Sequence, residues 1–234
     1  MAIPVLHPEN VVNVQHAGLV SRIEGNTVPT LHLTLDGTMP IMFEHHVFLW
    51  KTTGIDIGIM KLAGAFKRVM AGMAVFMTQA TGKGDISFSR DAAGHVIGLP
   101  LEHGQTIYMR EHQFLAATAN VDYSFERVRG FGSMLVGGQG FWIDKFTGGS
   151  GGSVVWVHGH GNIYDVDLAA GETIDVEPGA WVYRDGSVTY EQKVVGLSTG
   201  FLAGGGNFIF NRFTGPGRVG IQSGTAIADM LPAG

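Results

Sequence analysis

LDGTMPIMFEHHVFLW (35–50), LEHGQTIYMREHQFLA (101–116) and LAAGETIDVEPGAWVY (168–183) are three versions of one pattern. Setting Gly37, Gly104 and Gly171 in register gives two steps of 67 residues. In that register Met42, Met109 and Val176 coincide, as do Val47, Phe114 and Trp181, and then Phe48, Leu115 and Val182. A second landmark follows each segment: Thr81-Gly82, Thr147-Gly148 and Thr214-Gly215, spaced 66 and 67 apart. Short apolar runs precede it each time, Val75-Phe76-Met77, Phe141-Trp142-Ile143 and Phe208-Ile209-Phe210. Glycine enrichment alone would align glycines but not the apolar positions beside them, so the period is a property of the fold. The second copy carries a small extra loop, Gly149-Ser150-Gly151-Gly152.

Within each copy the pattern is that of strands. Leu31, Leu33 and Leu35 alternate with polar residues, the period of a half-buried strand. Val154-Val155-Trp156-Val157, Val188-Thr189-Tyr190 and Val194-Val195 are β-branched or aromatic. Asp36-Gly37, Pro178-Gly179, Asp185-Gly186 and Pro216-Gly217 punctuate the chain as turns. Many short strands between glycine turns predict an all-β fold rather than a βαβ sheet. One or two short helices are expected beside it. The candidate is Met60 to Ala71, where Leu62, Phe66, Val69 and Met70 sit at helical spacing.

Composition narrows the function. The 234 residues include 36 glycines, and charged residues make up 15%, against a usual share of about 25%. Such a chain is too apolar for intrinsic disorder. The net charge of −5 argues against a dedicated phosphate-backbone binder. Cysteine is absent, which removes disulfides, thiolate metal sites and thiol nucleophiles. The start, Met1-Ala2-Ile3-Pro4-Val5-Leu6-His7-Pro8, does not read as a signal peptide. The apolar stretch from Ile55 to Ala80 is broken by Asp56, Lys61, Lys67 and Arg68, so it fails as a membrane span. A soluble, cytoplasmic protein is the expectation.

A unit of about 67 residues is too small to bury a large core alone. The chain is therefore expected to form one globule from three repeats with internal pseudo-threefold symmetry. Residues 1–98 make the first unit with an N-terminal extension, 99–165 the second, and 166–234 the third with a C-terminal tail. Few surface charges predict that further copies cover part of the surface, giving a homo-oligomer.

These residues also carry a resemblance. The chain resembles bacterial and archaeal proteins of unknown function related to the yeast altered-inheritance-of-mitochondria protein. Those proteins look like three fused copies of the unit of the tryptophan RNA-binding attenuation protein (TRAP). The residues concerned are Phe131-Gly132-Ser133-Met134-Leu135-Val136-Gly137-Gly138-Gln139-Gly140-Phe141, Phe146-Thr147-Gly148, and Phe213-Thr214-Gly215-Pro216-Gly217-Arg218-Val219 with Ile221-Gln222-Ser223. Lys67-Arg68 and the run from Ala170-Gly171-Glu172 to Glu177-Pro178-Gly179 add to them. The resemblance spans Leu31 to Ser223. It implies TRAP-like units with double-stranded β-helix architecture in a homo-oligomer, and no known activity. The first copy departs at Ala71-Gly72-Met73-Ala74, where the second has Gly137-Gly138-Gln139-Gly140. RNA binding is not carried over, because no Lys/Arg cluster recurs in all three copies.

Among residues that bear chemistry, histidine is the type to examine. His158-Gly159-His160 would put two rings on one side of a strand, and Asp165 lies five residues on. The spacing is similar to the first metal motif of the cupins, and a 2-His-1-carboxylate site suits iron. No histidine follows Pro178, and an aspartate stands where a glutamate belongs, so a turn with two solvated histidines is the preferred reading. His45 and His46, as strand neighbours, would point to opposite faces and cannot chelate one ion. His45 falls in register with His112. No G-x-S-x-G elbow or P-loop ending is present. Residues 59–73 form a basic amphipathic stretch that suits either an anionic membrane surface or packing on the β-core.

The expectation is a non-enzymatic, homo-oligomeric β-protein, a scaffold or assembly unit, with peripheral membrane contact through 59–73 as an added possibility. Its partner is itself. No catalytic, cofactor or metal residues are assigned, and no nucleic acid is expected. The alternative is a metal-dependent cupin-like enzyme using His158, His160 and Asp165.

Overall fold

Burial follows the alternation. Leu31, Leu33 and Leu35 are buried along Thr30–Asp36 while the residues between them are not, as in a sheet with one wet face. The computed structural model describes residues 3–8, 11, 14–16, 18–60, 77–110, 112–128, 141–196 and 207–224. Its first strands are β1 Val5–Leu6, β2 Val14–His16, β3 Leu19–Glu24, β4 Thr30–Asp36, β5 Ile41–Glu44, β6 Phe48–Lys51, β7 Ile55–Ile59 and β8 Met77–Ser89. Next come β9 Gly94–Leu101, β10 Thr106–Arg110, β11 Phe114–Thr118, β12 Asp122–Val128, β13 Phe141–Thr147 and β14 Ser153–His160. The last are β15 Ile163–Leu168, β16 Thr173–Val176, β17 Trp181–Asp185, β18 Thr189–Gly196, β19 Asn207–Thr214 and β20 Gly217–Gln222. The protein is all-β.

One pairing scheme recurs along the chain. β4, β9 and β15 pair antiparallel with β8, β14 and β20, placing Leu35 opposite Gly84, Leu101 opposite Ser153 and Leu168 opposite Gly217. β5, β10 and β16 pair with β8, β13 and β19, placing Ile41 opposite Ala80, Ile107 opposite Phe146 and Ile174 opposite Phe213. β6, β11 and β17 pair with β8, β14 and β20. Each of these three pairings has a register shift, between Phe48 and Trp50, Phe114 and Ala116, and Trp181 and Tyr183. β7, β12 and β18 run beside β8, β13 and β19. β8 serves both roles as one strand of 13 residues, because the first copy lacks the loop that parts β13 from β14.

The hydrogen bonds correct the glycine register by one residue. Ile41, Ile107 and Ile174 are equivalent, so Met42 matches Tyr108 and Asp175, whereas Met109 and Val176 match Phe43. Phe48, not Val47, matches Phe114 and Trp181. The reason lies in the turn. In the first copy Asp36 accepts from the Thr38 N–H at 2.8 Å, and Gly37 takes the positive φ of +95°. In the others the turn closes from Gln105 N–H to Glu102 C=O and from Glu172 N–H to Ala169 C=O. There the left-handed glycine comes one residue later, at Gly104 and Gly171.

Strands of neighbouring copies are also joined. β5 pairs with β11, and β10 pairs with β17. Among the described residues two sheets of seven and ten strands result, beside a separate three-stranded sheet, β16-β19-β18. Three apolar clusters lie beneath them. One centres on Leu33, Phe43 and Phe88, the next on Phe114 and Phe146, and the third on Trp181 and Phe213.

The helical element among the described residues is a 3-10 turn, His45–Val47, so His45 and His46 are not strand neighbours. Their rings meet edge-on with centroids 5.8 Å apart, and His46 Nε2 lies 3.3 Å from Glu44. The Met60–Ala71 candidate lies, beyond Met60, outside the described residues.

Candidate functional site

β14 places His158 and His160 on one side, as their spacing requires, with ring centroids 5.5 Å apart and planes nearly perpendicular. His158 is fully buried, its Nε2 3.2 Å from the Ala92 carbonyl oxygen. Burial first, then the charges of Arg90 and His160, push its pKa down to about 4, so the ring is neutral at pH 7. A solvated pair was expected; strand pairing of β14 between β9 and β11 buries the ring instead.

Asp165, the third residue of the cupin-like alternative, has partners of its own. It stands on β15, with His7 Nε2 at 2.8 Å and Arg218 Nη1 at 3.4 Å, and the Tyr183 hydroxyl donates to its Oδ1. Burial raises its pKa, but the bonds from His7 and Tyr183 and the charges of His7 and Arg218 outweigh that and hold it below the usual carboxylate range. The Tyr183 ring reaches it by lying over Gly220, where a Cβ would collide with the ring. Among the described residues no group of three His, Asp or Glu could hold a metal ion.

The same corner fastens the N-terminal arm. β1 pairs with β15, and the His7 N–H donates to the Ile163 carbonyl at 3.0 Å. His95 is the clip: its Nδ1 accepts from the Ile163 N–H at 3.3 Å, which leaves Nε2 to donate to the Pro8 carbonyl at 3.1 Å. The Asp165 cluster thus anchors residues 5–8. Sequence reading missed it because the partners lie far apart along the chain.

Among the described residues the exposed large apolar side chains all lie within residues 1–98. Leu49 and Trp50 of β6 are 50% and 46% exposed. Their equivalents by strand pairing are Leu115 and Ala116 on β11, and Val182 and Tyr183 on β17, all at 0%. The difference follows from the pairing between copies. Leu115 and Ala116 enter the first cluster and Val182 and Tyr183 the second, because β11 and β17 each lie beside the preceding copy. Among the described residues no strand covers the outer edge of β6, nor that of β16. Ile174 on β16 is only partly buried, while Ile41 and Ile107 are fully so. Ile57 and Ile59 of β7 are exposed as well. The run Phe48-Leu49-Trp50 was visible in the sequence. Its exposure was not, since that depends on which copy lies beside it.

A groove of about 440 Å³ is lined by Gln105, Thr106, Tyr108, Lys145, Asp185 and Ser187. The Arg184 guanidinium lies 3.9 Å from the Tyr108 ring centroid, a cation–π contact that uses the charge structurally. Among the described residues no helix is long and apolar enough to cross a membrane. Beyond residue 60, the 59–73 stretch lies outside those residues.

Residues 21–224 match the family described as mitochondrial biogenesis AIM24. An uncharacterised protein of Streptococcus pyogenes serotype M6 is 30% identical over 193 residues, covering 80% of this chain and 74% of the relative. An X-ray crystal structure of a Streptococcus pyogenes protein superposes with a TM-score of 0.69 at 19% identity, over 88% of this chain and 94% of that one, and shows a shared fold. The chain belongs to the AIM24 family.

Proposed function

We propose that this protein is a non-enzymatic scaffold or assembly unit that works as a homo-oligomer. It is built from three tandem TRAP-like units, 1–98, 99–165 and 166–234, in a pseudo-threefold arrangement of double-stranded β-helix character. The observation that carries the oligomer is the exposure of Leu49 and Trp50 at positions whose equivalents are fully buried. Large apolar side chains left exposed where their equivalents are buried suit an association site. The recurring strand pairing and its repeated register shifts support the three-unit division. The scaffold role draws on the recurring strand scheme and on the strand pairing between neighbouring copies.

Light scattering on the untagged chain in line with size exclusion tests the reading. A single species at a whole multiple of 25.0 kDa is expected at micromolar concentration. A species at 25.0 kDa would overturn it.

A further inference from the structure

We propose that β6 of one copy of this chain adds edge-on and antiparallel to β16 of the next, in a single defined register. The inference rests on the homo-oligomer reading above and specifies its interface. Inside the chain, the second strand of one copy pairs with the third strand of the following copy: β5 with β11, and β10 with β17. Continued once more, the rule gives β16 a partner equivalent to β11 and β17. That strand is β6 of another molecule, since β6 and β16 are not paired within the chain among the described residues.

The register follows from the two pairings observed. Ala116 lies opposite Phe43, Ala117 opposite Met42 and Thr118 opposite Ile41. Tyr183 lies opposite Met109, Arg184 opposite Tyr108 and Asp185 opposite Ile107. Carried to the third pairing by strand equivalence, Trp50 falls opposite Val176, Lys51 opposite Asp175 and Thr52 opposite Ile174. Two independent features fit this register. Phe43 and Ala116 share the first cluster, and Met109 and Tyr183 share the second. Val176 belongs to the third cluster, which has no member from β6, so Trp50 would complete it as Ala116 and Tyr183 complete theirs. Lys51 and Asp175 are opposite charges brought face to face, a pairing that favours this register over its neighbours. The two edges differ, so the contact is head-to-tail.

Absence of cysteine makes the test clean. Lys51→Cys and Asp175→Cys are prepared separately, with tags of different length, then mixed under mild oxidation. Residues opposite each other in an antiparallel pair have Cα atoms roughly 4.5–5.5 Å apart, within disulfide range. The expected result is a disulfide-linked heterodimer in the mixture, at least tenfold above either variant alone and above Lys51→Cys mixed with Thr173→Cys. Because Asp175 also pairs with Arg212, Trp50→Cys mixed with Val176→Cys provides a second pair in the same register. Linked homodimers of one variant, equal linking in the shifted pair, or a double variant that closes its bond within a single chain would each overturn the proposal. If light scattering shows an oligomer and neither designed pair links, this interface is wrong while the oligomer reading stands. A monomer by light scattering ends both.

Discussion

Trp181, Tyr190 and Phe213 form an aromatic set with ring centroids 5.5 to 6.0 Å apart, and Trp181 and Phe213 are fully buried. Trp181→Ala removes the largest side chain of the third cluster and should cost about 3–5 kcal/mol, read as a lower urea midpoint. His158 sets a different dependence. Its folded pKa of about 4 lies below the unfolded value near 6.5, so the unfolded chain takes up the proton first as pH falls. Stability is unaffected above about pH 6.5 and is lost on the way down to pH 4, by about 3 kcal/mol in total. Urea melts between pH 7 and pH 4 should show that slope, and His158→Gln should flatten it. An unchanged slope would place the acid sensitivity elsewhere. Asp165, held below the usual carboxylate range, loses its contribution at still lower pH, as its own carboxylate protonates. At this scale the sequence was a partial guide. The i, i+2 spacing put His158 and His160 on one side, but burial of His158 depends on strands β9 and β11, which no local spacing reveals.

Strand order was more legible than strand register. The recurrence of Leu35, Leu101 and Leu168 before a turn marked the strands correctly, since alternation is written into each segment. Glycine was the wrong ruler, because the left-handed position sits one residue earlier in the first turn. The fusion of two strands into β8 was equally hidden, as it follows from a loop the first copy lacks. Exposure of β6 was illegible for a physical reason: FLWK, FLAAT and WVYRD have similar apolar character, and only the neighbouring copy buries the last two. That difference yields a prediction at the level of the element. Trp50→Asp leaves the internal pairing of β6 with β8 intact, so the fold should survive with an unchanged far-ultraviolet dichroism spectrum. The charged side chain would face the third cluster of the adjoining copy unpaired, and burying such a group is costly. Assembly should weaken by tenfold or more in concentration dependence.

On the scale of the whole molecule, the proposed assembly draws on a low charge content, a recurring strand scheme and, among the described residues, the unpaired outer edges of β6 and β16. The Asp165 anchor, which sequence spacing suggested as a metal ligand, ties the N-terminal arm to β15 and helps hold the first and last thirds of the chain together. The fold is shared with a Streptococcus pyogenes structure that is only 19% identical. Native mass spectrometry of the wild-type chain beside Trp50→Asp tests the account most directly. Wild-type protein should appear at whole multiples of 25.0 kDa, and the variant chiefly at the mass of one chain. A wild-type chain at 25.0 kDa, or a folded variant that keeps the full assembly mass, would contradict it.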